Sequence, residues 1–316
     1  MTVADLTIAG AKAGAAQSSA ASKPAKVPID TTAQPVISLV VATVNRTRQL
    51  VRLLDSLLLQ SCRDFEVIVV DQNPAGVLQP IVERYQGKLA LTHVACGLGV
   101  SRARNLGISL ARGALICFPD DDCWYPPRAV ADVIAFFATH PAVDMVLGRT
   151  IDEHGLESVS RFLGQSQPVL RRNVWLAGNT NALFLRRAAV ETIGGFDEKL
   201  GPGSGTPFNS GEDTDFVLMA LERRVRIYFA HDLLIHHDQV DSAIDERFIK
   251  KVAGYSVGYG RVLRKHGYGA YYLFYRIART LPRMLFAAIT RNRPYVKMRW
   301  VWMSGAVRGY FTPPPA

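Results

Sequence analysis

An unbroken apolar run, VISLVVATV at Val36–Val44, leaves few folds open to this chain. A run of β-branched residues without polar alternation predicts a strand that is buried on both faces, as in parallel sheets. A similar run, FEVIVVD, follows at Phe65–Asp71, and helical patterns separate such runs up to Thr150. Strand and helix alternate with short connections, which predicts an α/β fold with a doubly wound, mostly parallel sheet and flanking helices.

Aspartate residues occur at the ends of two of these predicted strands. Asp71 closes the second strand, and Asp120, Asp121 and Asp122 follow the later strand ALICF. Ligands bind to doubly wound sheets at the carboxyl ends of the strands. Crowded carboxylates suit Mg²⁺ or Mn²⁺, which proteins share with substrate phosphates, although a solvated loop carries the same charge. On an extended chain Asp120 and Asp122 point the same way and Asp121 points away.

A second acidic cluster, GEDTDF, contains Glu212, Asp213 and Asp215. Acids in the first turn of a helix offset its dipole, and this is one reading of the cluster. The other reading is a general base, because a carboxylate aimed into a cleft can take a proton from a substrate. Spacing alone leaves both open.

Cationic and imidazole groups form two further candidate sites. The segment SRARN places Arg102, Arg104 and Asn105 at the start of a predicted helix, either on a solvated face or near a diphosphate. The segment LLIHHD supplies His236 and His237, which are structural or contact a metal or phosphate.

The net charge of +10 is unevenly distributed. Phe248–Ala316 contains thirteen Lys or Arg and no Asp or Glu, so the rest of the chain carries −3. Together with its many aromatic residues, this favours helices that lie on an anionic membrane surface. A packed helical appendage with solvated arginines is the alternative. Nucleic-acid binding is not expected, because no RNA-binding motif is present.

Composition sets three further bounds. Residues 1–34 are rich in Ala, Ser and Gly and predict a disordered leader. No apolar run reaches the roughly 18 residues that predict a transmembrane helix. The four cysteines form no CxxC pair, which indicates reduced thiols in a cytosolic protein.

Taken together and in order, these motifs resemble family 2 glycosyltransferases with the GT-A fold. The matching segments run from VISLVVATV through FEVIVVDQN, SRARNLG, FPDDD and GGFDEKLG to GEDTDF and LLIHHD, and cover residues 36–238. The resemblance implies a GT-A catalytic domain at 35–240, with a nucleotide-sugar half at 35–150 and an acceptor half at 151–240. A basic, aromatic-rich helical extension follows at 241–316.

The same resemblance implies the site residues. Asp213 would be the catalytic base, and Asp122 and His236 would hold Mg²⁺ or Mn²⁺. Asn181 and Glu212 would lie on the acceptor side. The residues implied in nucleotide-sugar binding are Thr43, Asn45, Arg46, Asp71, Arg102, Arg104, Asn105, Asp120 and Asp121.

The implied activity is the transfer, with inversion, of one sugar from a nucleotide-diphosphate sugar to a hydroxyl of a saccharide or lipid-linked acceptor. Such a peripheral enzyme would serve polysaccharide or cell-envelope synthesis at the cytoplasmic face of the membrane. The segment VKMRW has Val296 where processive relatives carry Gln, which favours single-sugar addition. A nucleotidyltransferase is an alternative, but no Gly-rich nucleotide loop opens the first strand. A non-catalytic membrane or RNA-binding scaffold is another, but it gives no reason for the acidic clusters.

Overall fold

The structure is a computed structural model that describes residues 34–239 and 243–313. The predicted leader lies outside the described residues, apart from Gln34. The strands of the described part are β1 (Ile37–Thr43), β2 (Phe65–Asp71), β3 (Leu91–Ala95), β4 (Leu115–Cys117), β5 (Cys123–Trp124), β6 (Met145–Ile151), β7 (Gln167–Pro168), β8 (Leu183–Arg186) and β9 (Ile227–His237).

Helices separate and follow these strands. They are α1 (Thr47–Leu58), α2 (Gln79–Tyr85), α3 (Val100–Leu110), α4 (Ala129–Thr139), α5 (Arg187–Ile193), α6 (Glu212–Glu222), α7 (Glu246–Lys265), α8 (Ala270–Ala278), α9 (Leu281–Ile289) and α10 (Arg293–Phe311). The predicted α/β sheet with flanking helices is confirmed, and so is a helical C-terminal region.

The strands form a single mixed sheet in the order β3-β2-β1-β4-β8-β6-β9-β5. The first four strands in this order are parallel, so β1 and β2 end together, with Thr43 opposite Asp71. Strand β8 runs antiparallel to both β4 and β6, and β9 returns parallel to β6. The end of β9 pairs with β5, which sets His237 opposite Cys123 and His236 opposite Trp124. The aspartates that follow β2 and β4 and the histidines of β9 therefore lie at the carboxyl edge of the sheet.

Apolar side chains fill both faces of this sheet, as the unbroken strand runs predict. On β1, Ile37, Leu39 and Val41 join one buried cluster and Val40 joins the other. The helical spacing of Leu50, Leu53, Leu54 and Leu57 buries one face of α1 against the first cluster. Helices α5 and α6 cover the opposite face through their own buried side chains.

A buried polar network holds the end of helix α7 against α6. Asp215, which is fully buried on α6, accepts from Lys265 Nζ and from His266 Nε2, both at 2.8 Å. Gly258 lies so close to the start of α6 that an added Cβ would stand 2.2 Å from the carbonyl oxygen of Ser210. The glycines of α7 therefore permit close packing and do not interrupt the helix.

The C-terminal helices differ sharply in burial. Helix α10 packs along α7 and buries Met298, Met303, Ala306 and Tyr310. Helix α9 is apolar but buries only Ala287. The expectation of a packed appendage therefore describes α7 and α10 but not α9. Within the two described ranges, no helix is both long enough and apolar enough to cross a bilayer.

Candidate active site

Three of the predicted nucleotide-sugar-binding residues lie where β1 and β2 stop. Asp71 is buried, and its Oδ1 accepts from the backbone and side-chain nitrogens of Asn73, both at 2.8 Å. Its Oδ2 lies 3.0 Å from Nε2 of His93. Asn45 adopts a left-handed conformation with φ 58°, and its N–H donates to Oδ1 of Asn73 at 2.6 Å. These bonds hold the predicted residues Asn45 and Asp71 together, and Thr43 lies beside them because it is opposite Asp71 in the strand register.

The three aspartates after β4 occupy a tight turn. The chain bends at Asp121 and Asp122 before β5 begins at Cys123, so it is not extended there. The guanidinium of Arg46 donates to Asp121 Oδ1 at 3.0 Å and also pairs with Asp122 Oδ2. The expectation that Asp121 points away is therefore wrong: Asp121 and Asp122 pair with the same guanidinium, and the Asp121 side chain is only 5% exposed. The turn removes the alternation on which that expectation depended.

Arg104 links the two acidic clusters. Its Nη1 donates to Asp213 Oδ1 at 2.9 Å, and its Nη2 donates to Asp120 Oδ1 at 3.0 Å and to Thr180 Oγ1 at 2.8 Å. The side chain is only 4% exposed, so the guanidinium is almost fully removed from water. A buried cation with these partners fixes Asp120 and Asp213 on the same side of the cleft.

Arg104 and Thr180 hold the Asp213 carboxylate in place, and part of the carboxylate remains exposed. Asp213 lies in the first turn of α6, after Gly211, which takes a left-handed conformation at φ 94°. Its Oδ1 accepts from Arg104 and also from Thr180 Oγ1 at 3.0 Å. Its Oδ2 has only a long contact, 3.4 Å, with the Thr180 N–H. The carboxylate stays 28% exposed and can therefore meet a ligand in the cleft.

The neighbouring acids have shifted pKa values. Burial, and next the charge of Asp213, raise the pKa of Glu212 to about 8, against the opposing charge of Arg104. Burial and the surrounding carboxylates also raise the pKa of Asp120 to about 6, although its side chain remains 38% exposed to water. At neutral pH the protonated form of Glu212 therefore dominates, which relieves charge repulsion beside Asp213.

The shift of Glu212 sets a pH dependence of stability. The folded state keeps a proton that the unfolded carboxyl, with its ordinary value of 4.5, has lost. This stabilisation is fully present below pH 4.5 and is lost as the pH rises towards about 8. We expect the free energy of unfolding of wild type, relative to that of Glu212→Gln, to fall by up to about 1.4 kcal/mol per pH unit in this window. Urea unfolding at several pH values measures it.

A matched control for this pH dependence is Glu153→Gln. The Glu153 side chain is 78% exposed. Its substitution is expected to leave a difference that does not vary with pH. Parallel stability curves for wild type and Glu212→Gln would contradict a proton held on Glu212.

His236 and His237, at the end of β9, have different contacts. Nε2 of His237 lies 3.3 Å from Oδ1 of Asp122. The ring of His236 stacks on Trp124 with the centroids 5.1 Å apart, and its buried Nδ1 has no hydrogen-bond partner among the described residues. The contact with the predicted metal ligand Asp122 is therefore made by His237.

Asp122 and His237 suit a divalent cation that a substrate would complete. Oδ1 of Asp122 is buried and has no well-formed hydrogen bond within the described part of the chain. Across the same residues, no cluster of three or more His, Cys, Asp or Glu side chains forms a metal cage. Mg²⁺ and similar ions are commonly held by one or two protein ligands plus phosphate oxygens. The donor set fits that arrangement.

Two predicted residues of α3 point elsewhere. Arg102 pairs with Glu198 at 3.3 Å, and Asn105 exchanges hydrogen bonds with the backbone of Phe196, at 2.9 Å through its Nδ2 and 2.8 Å through its Oδ1. The structure therefore does not bring them to the carboxylates with Arg104. Their predicted role with the nucleotide sugar remains a prediction.

Sequence reasoning overlooked two residues of the segment GNTNA. Thr180 bonds both Arg104 and Asp213, and Asn179 has a side-chain oxygen and nitrogen that are buried without hydrogen-bond partners in the described chain. The predicted acceptor residue Asn181 has a similarly unpartnered Oδ1. Buried polar atoms of this kind are costly unless a ligand or water satisfies them. A polar run just before a buried strand was the available signal.

Comparisons with known proteins show what this chain is similar to. Residues 38–193 match the family described as "Glycosyl transferase family 2". A PGL/p-HBAD biosynthesis glycosyltransferase of Mycobacterium tuberculosis is 29% identical over 169 residues, which cover 52% of this chain and 64% of the relative. The validoxylamine A glucosyltransferase of Streptomyces hygroscopicus subsp. limoneus is 34% identical over 131 residues, 40% of this chain and 29% of that protein. The match thus spans less than two thirds of these relatives.

Two solved structures share the fold. The mannosyltransferase PcManGT of Pyrobaculum calidifontis, in complex with GDP-Man and Mn²⁺, superposes with a TM-score of 0.61 and 18% identity, covering 92% of this chain and 91% of its own. TarS of S. aureus, residues 1–349 in complex with UDP-GlcNAc, has a TM-score of 0.55 and 22% identity, covering 73% of this chain and 71% of its own. At these identities the likeness shows the fold.

Proposed function

We propose that this chain, whose residues 38–193 match the family described as "Glycosyl transferase family 2", transfers a single sugar from a nucleotide-diphosphate sugar to an acceptor hydroxyl, with inversion. The observation that carries the proposal is the Arg104 bridge. Its guanidinium holds Asp213 through Nη1 and Asp120 through Nη2, and Asp122 follows Asp120 two residues later. A proton acceptor and a diphosphate site thereby face a common space.

Asp213 serves as the general base in this proposal. Arg104 and Thr180 occupy its Oδ1, which leaves Oδ2 free to accept the proton of the acceptor hydroxyl. An acceptor activated in this way attacks the anomeric carbon as the diphosphate leaves. One displacement without an enzyme nucleophile inverts the configuration.

The donor lies along the strand edge from Asp71 to Asp122. Asp71, Thr43 and Asn45 border the nucleotide, and Arg46 neutralises charge at the turn of the three aspartates. Asp122 and His237 would hold Mg²⁺ or Mn²⁺. When bound, such a cation offsets the negative charge that develops on the leaving diphosphate. The neighbour solved with GDP-Man and Mn²⁺ supports this pairing of donor and metal.

The acceptor is a saccharide or a lipid-linked saccharide, placed on the side of Asn179, Asn181 and Glu212. The unpartnered amide atoms of both asparagines support a polyhydroxyl ligand, since each can donate to or accept from a sugar hydroxyl. The mycobacterial relatives are named for PGL/p-HBAD biosynthesis. The basic C-terminal region brings the enzyme to the anionic, cytoplasmic face of a membrane where such acceptors lie.

A thermal-shift screen of nucleoside diphosphates and nucleotide sugars, with and without Mn²⁺, tests the donor site. We expect one nucleotide class to raise the melting temperature of wild type only when metal is present. Asp122→Asn is expected to lose this metal dependence, because the carboxylate that shares the cation with the diphosphate is gone.

Asp232→Asn is the matched control for this screen. The Asp232 side chain is 98% exposed and pairs with no site residue in the described chain. The variant should respond to metal and nucleotide as wild type does. If no nucleotide shifts wild type under either condition, the donor site is refuted and a non-catalytic scaffold is favoured.

A further inference from the structure

Helix α9 exposes an apolar surface that none of the other described residues covers. Leu281, Leu285, Phe286 and Ile289 are 49%, 64%, 69% and 72% exposed. They recur at helical spacing, so most of them share one side of the helix. Contiguous exposed apolar patches on soluble proteins mark interaction surfaces. Helix α9 is therefore built to meet an apolar environment.

Arginines lie at or near both ends of this helix along the chain. Arg279 precedes it, Arg283 lies in its first turn, and Arg291 and Arg293 follow it. None of these four guanidinium groups forms an ion pair with another described residue. The whole segment Phe248–Ala316 contains no acid that could neutralise them.

An open groove continues the apolar surface between α9 and α10. Its volume is about 790 Å³, and Met284, Ala287, Val296 and Trp300 form its apolar part, with Arg291 and Arg293 at its rim. Apolar walls beside paired cations match a molecule with a hydrocarbon chain and an anionic head. The aromatic rings of Tyr271 and Tyr275 on α8, 80% and 54% exposed, extend the surface with groups that suit a membrane–water boundary.

We propose that α9 inserts its apolar side into the surface of an anionic phospholipid bilayer, with the flanking arginines on the lipid phosphates. Charge complementarity favours an anionic bilayer over a second copy of this chain as the partner of α9. A second copy of the same face would bring unpaired arginines against arginines, with no acid to separate them. A bilayer with anionic headgroups offers both the hydrocarbon and the counter-charge. The inference deepens the membrane association proposed above, because it names the element that enters the lipid.

The dimensions of α9 define its position. Nine residues rise about 13 Å, far less than the roughly 30 Å of a bilayer core. The helix therefore lies within the headgroup boundary and does not cross the membrane. Its neighbours α7 and α10 remain packed on the catalytic side, where Lys265 and His266 bind Asp215 of α6. This packing ties the lipid-facing helix to the helix that carries Asp213.

Flotation of the full chain with lipid vesicles tests the proposal. Wild type is expected to float with vesicles of phosphatidylcholine and phosphatidylglycerol, and far less with phosphatidylcholine alone. The double variant Phe286→Ser/Ile289→Ser should bind the anionic vesicles at least about tenfold more weakly, since both exposed side chains lose their buried apolar area. Arg283→Gln/Arg293→Gln should weaken binding at low salt, and high salt should remove the difference.

Leu59→Ser/Leu156→Ser is the matched control, because both side chains are exposed, at 70% and 63%, but lie on the catalytic domain. This variant should bind vesicles like wild type. The proposal is overturned if wild type ignores anionic vesicles, or if Phe286→Ser/Ile289→Ser binds unchanged. It is also overturned if that variant instead abolishes a dimer seen by sedimentation. Nucleotide binding measured on the same variants should be unchanged, so that a failure here is separate from a failure of the glycosyltransfer proposal.

Discussion

Replacing Asp213 with asparagine is expected to lower the rate of sugar transfer by about 10²–10⁴-fold, the usual contribution of a general base. The amide keeps the size of the carboxylate and can still accept from Arg104 and Thr180, so the cleft should retain its shape. The dissociation constant of the nucleotide-sugar donor should stay within a few-fold of wild type. Steady-state transfer rates and calorimetric donor binding, measured together, check both expectations.

Glu212→Gln separates the two acids that open α6. Glu212 holds a proton at neutral pH because burial raises its pKa to about 8, so it is a poor proton acceptor there. Glu212→Gln should therefore reduce transfer far less than Asp213→Asn. Turnover of Asp213→Asn within a few-fold of wild type would remove Asp213 from the base role. A large loss in Glu212→Gln alone would transfer that role to Glu212.

Replacing Arg104 with methionine is expected to destabilise the fold by about 1–3 kcal/mol, because it leaves two partly exposed carboxylates and Thr180 without their common hydrogen-bond donor. The guanidinium is the common partner of Asp120 and Asp213, and it is 4% exposed. Urea unfolding at neutral pH measures the loss. The loss should shrink in acid, where protonated carboxyls no longer need a counter-charge.

Arg102→Met is the matched control on the same helix. Its ion pair with Glu198 joins side chains that are 48% and 44% exposed. Exposed pairs contribute about 0–1 kcal/mol, so this variant should unfold close to wild type. Equal effects of the two substitutions would show that the buried network around Arg104 does not hold the cleft together.

The sheet and the position of its aspartates could be predicted from the sequence, because local apolar patterns show which segments form buried strands and where those strands end. The apolar run of β1 predicts a strand covered on both sides, and Ile37 and Val40 indeed enter different clusters. Strand ends then place Asp71 and Asp120 at one edge without further information. The full length of β9 is harder to predict, because polar residues such as His231 and Asp232 interrupt its apolar pattern.

The order of the motifs along the chain does not show which way neighbouring side chains point, and the assignment of individual site residues depends on that direction. His236 and His237 are neighbours on a strand and so face opposite ways; only pairing with β5 shows that His237 faces Asp122. On α3, Arg102 and Asn105 are three residues apart and share a side, whereas Arg104 points to another. Helical phase could have separated them in advance. The turn at Asp121 depends on the tertiary path into β5 and could not.

The configuration of the product's anomeric carbon tests the central claim most directly. Nuclear magnetic resonance of the product, formed from one nucleotide sugar and one soluble acceptor, reports this configuration through the anomeric proton coupling. A single displacement driven by Asp213 yields the anomer opposite to that of the donor. Retention of the donor's configuration would contradict the account, because it requires an enzyme nucleophile or a front-face reaction that this arrangement of Asp213 does not provide.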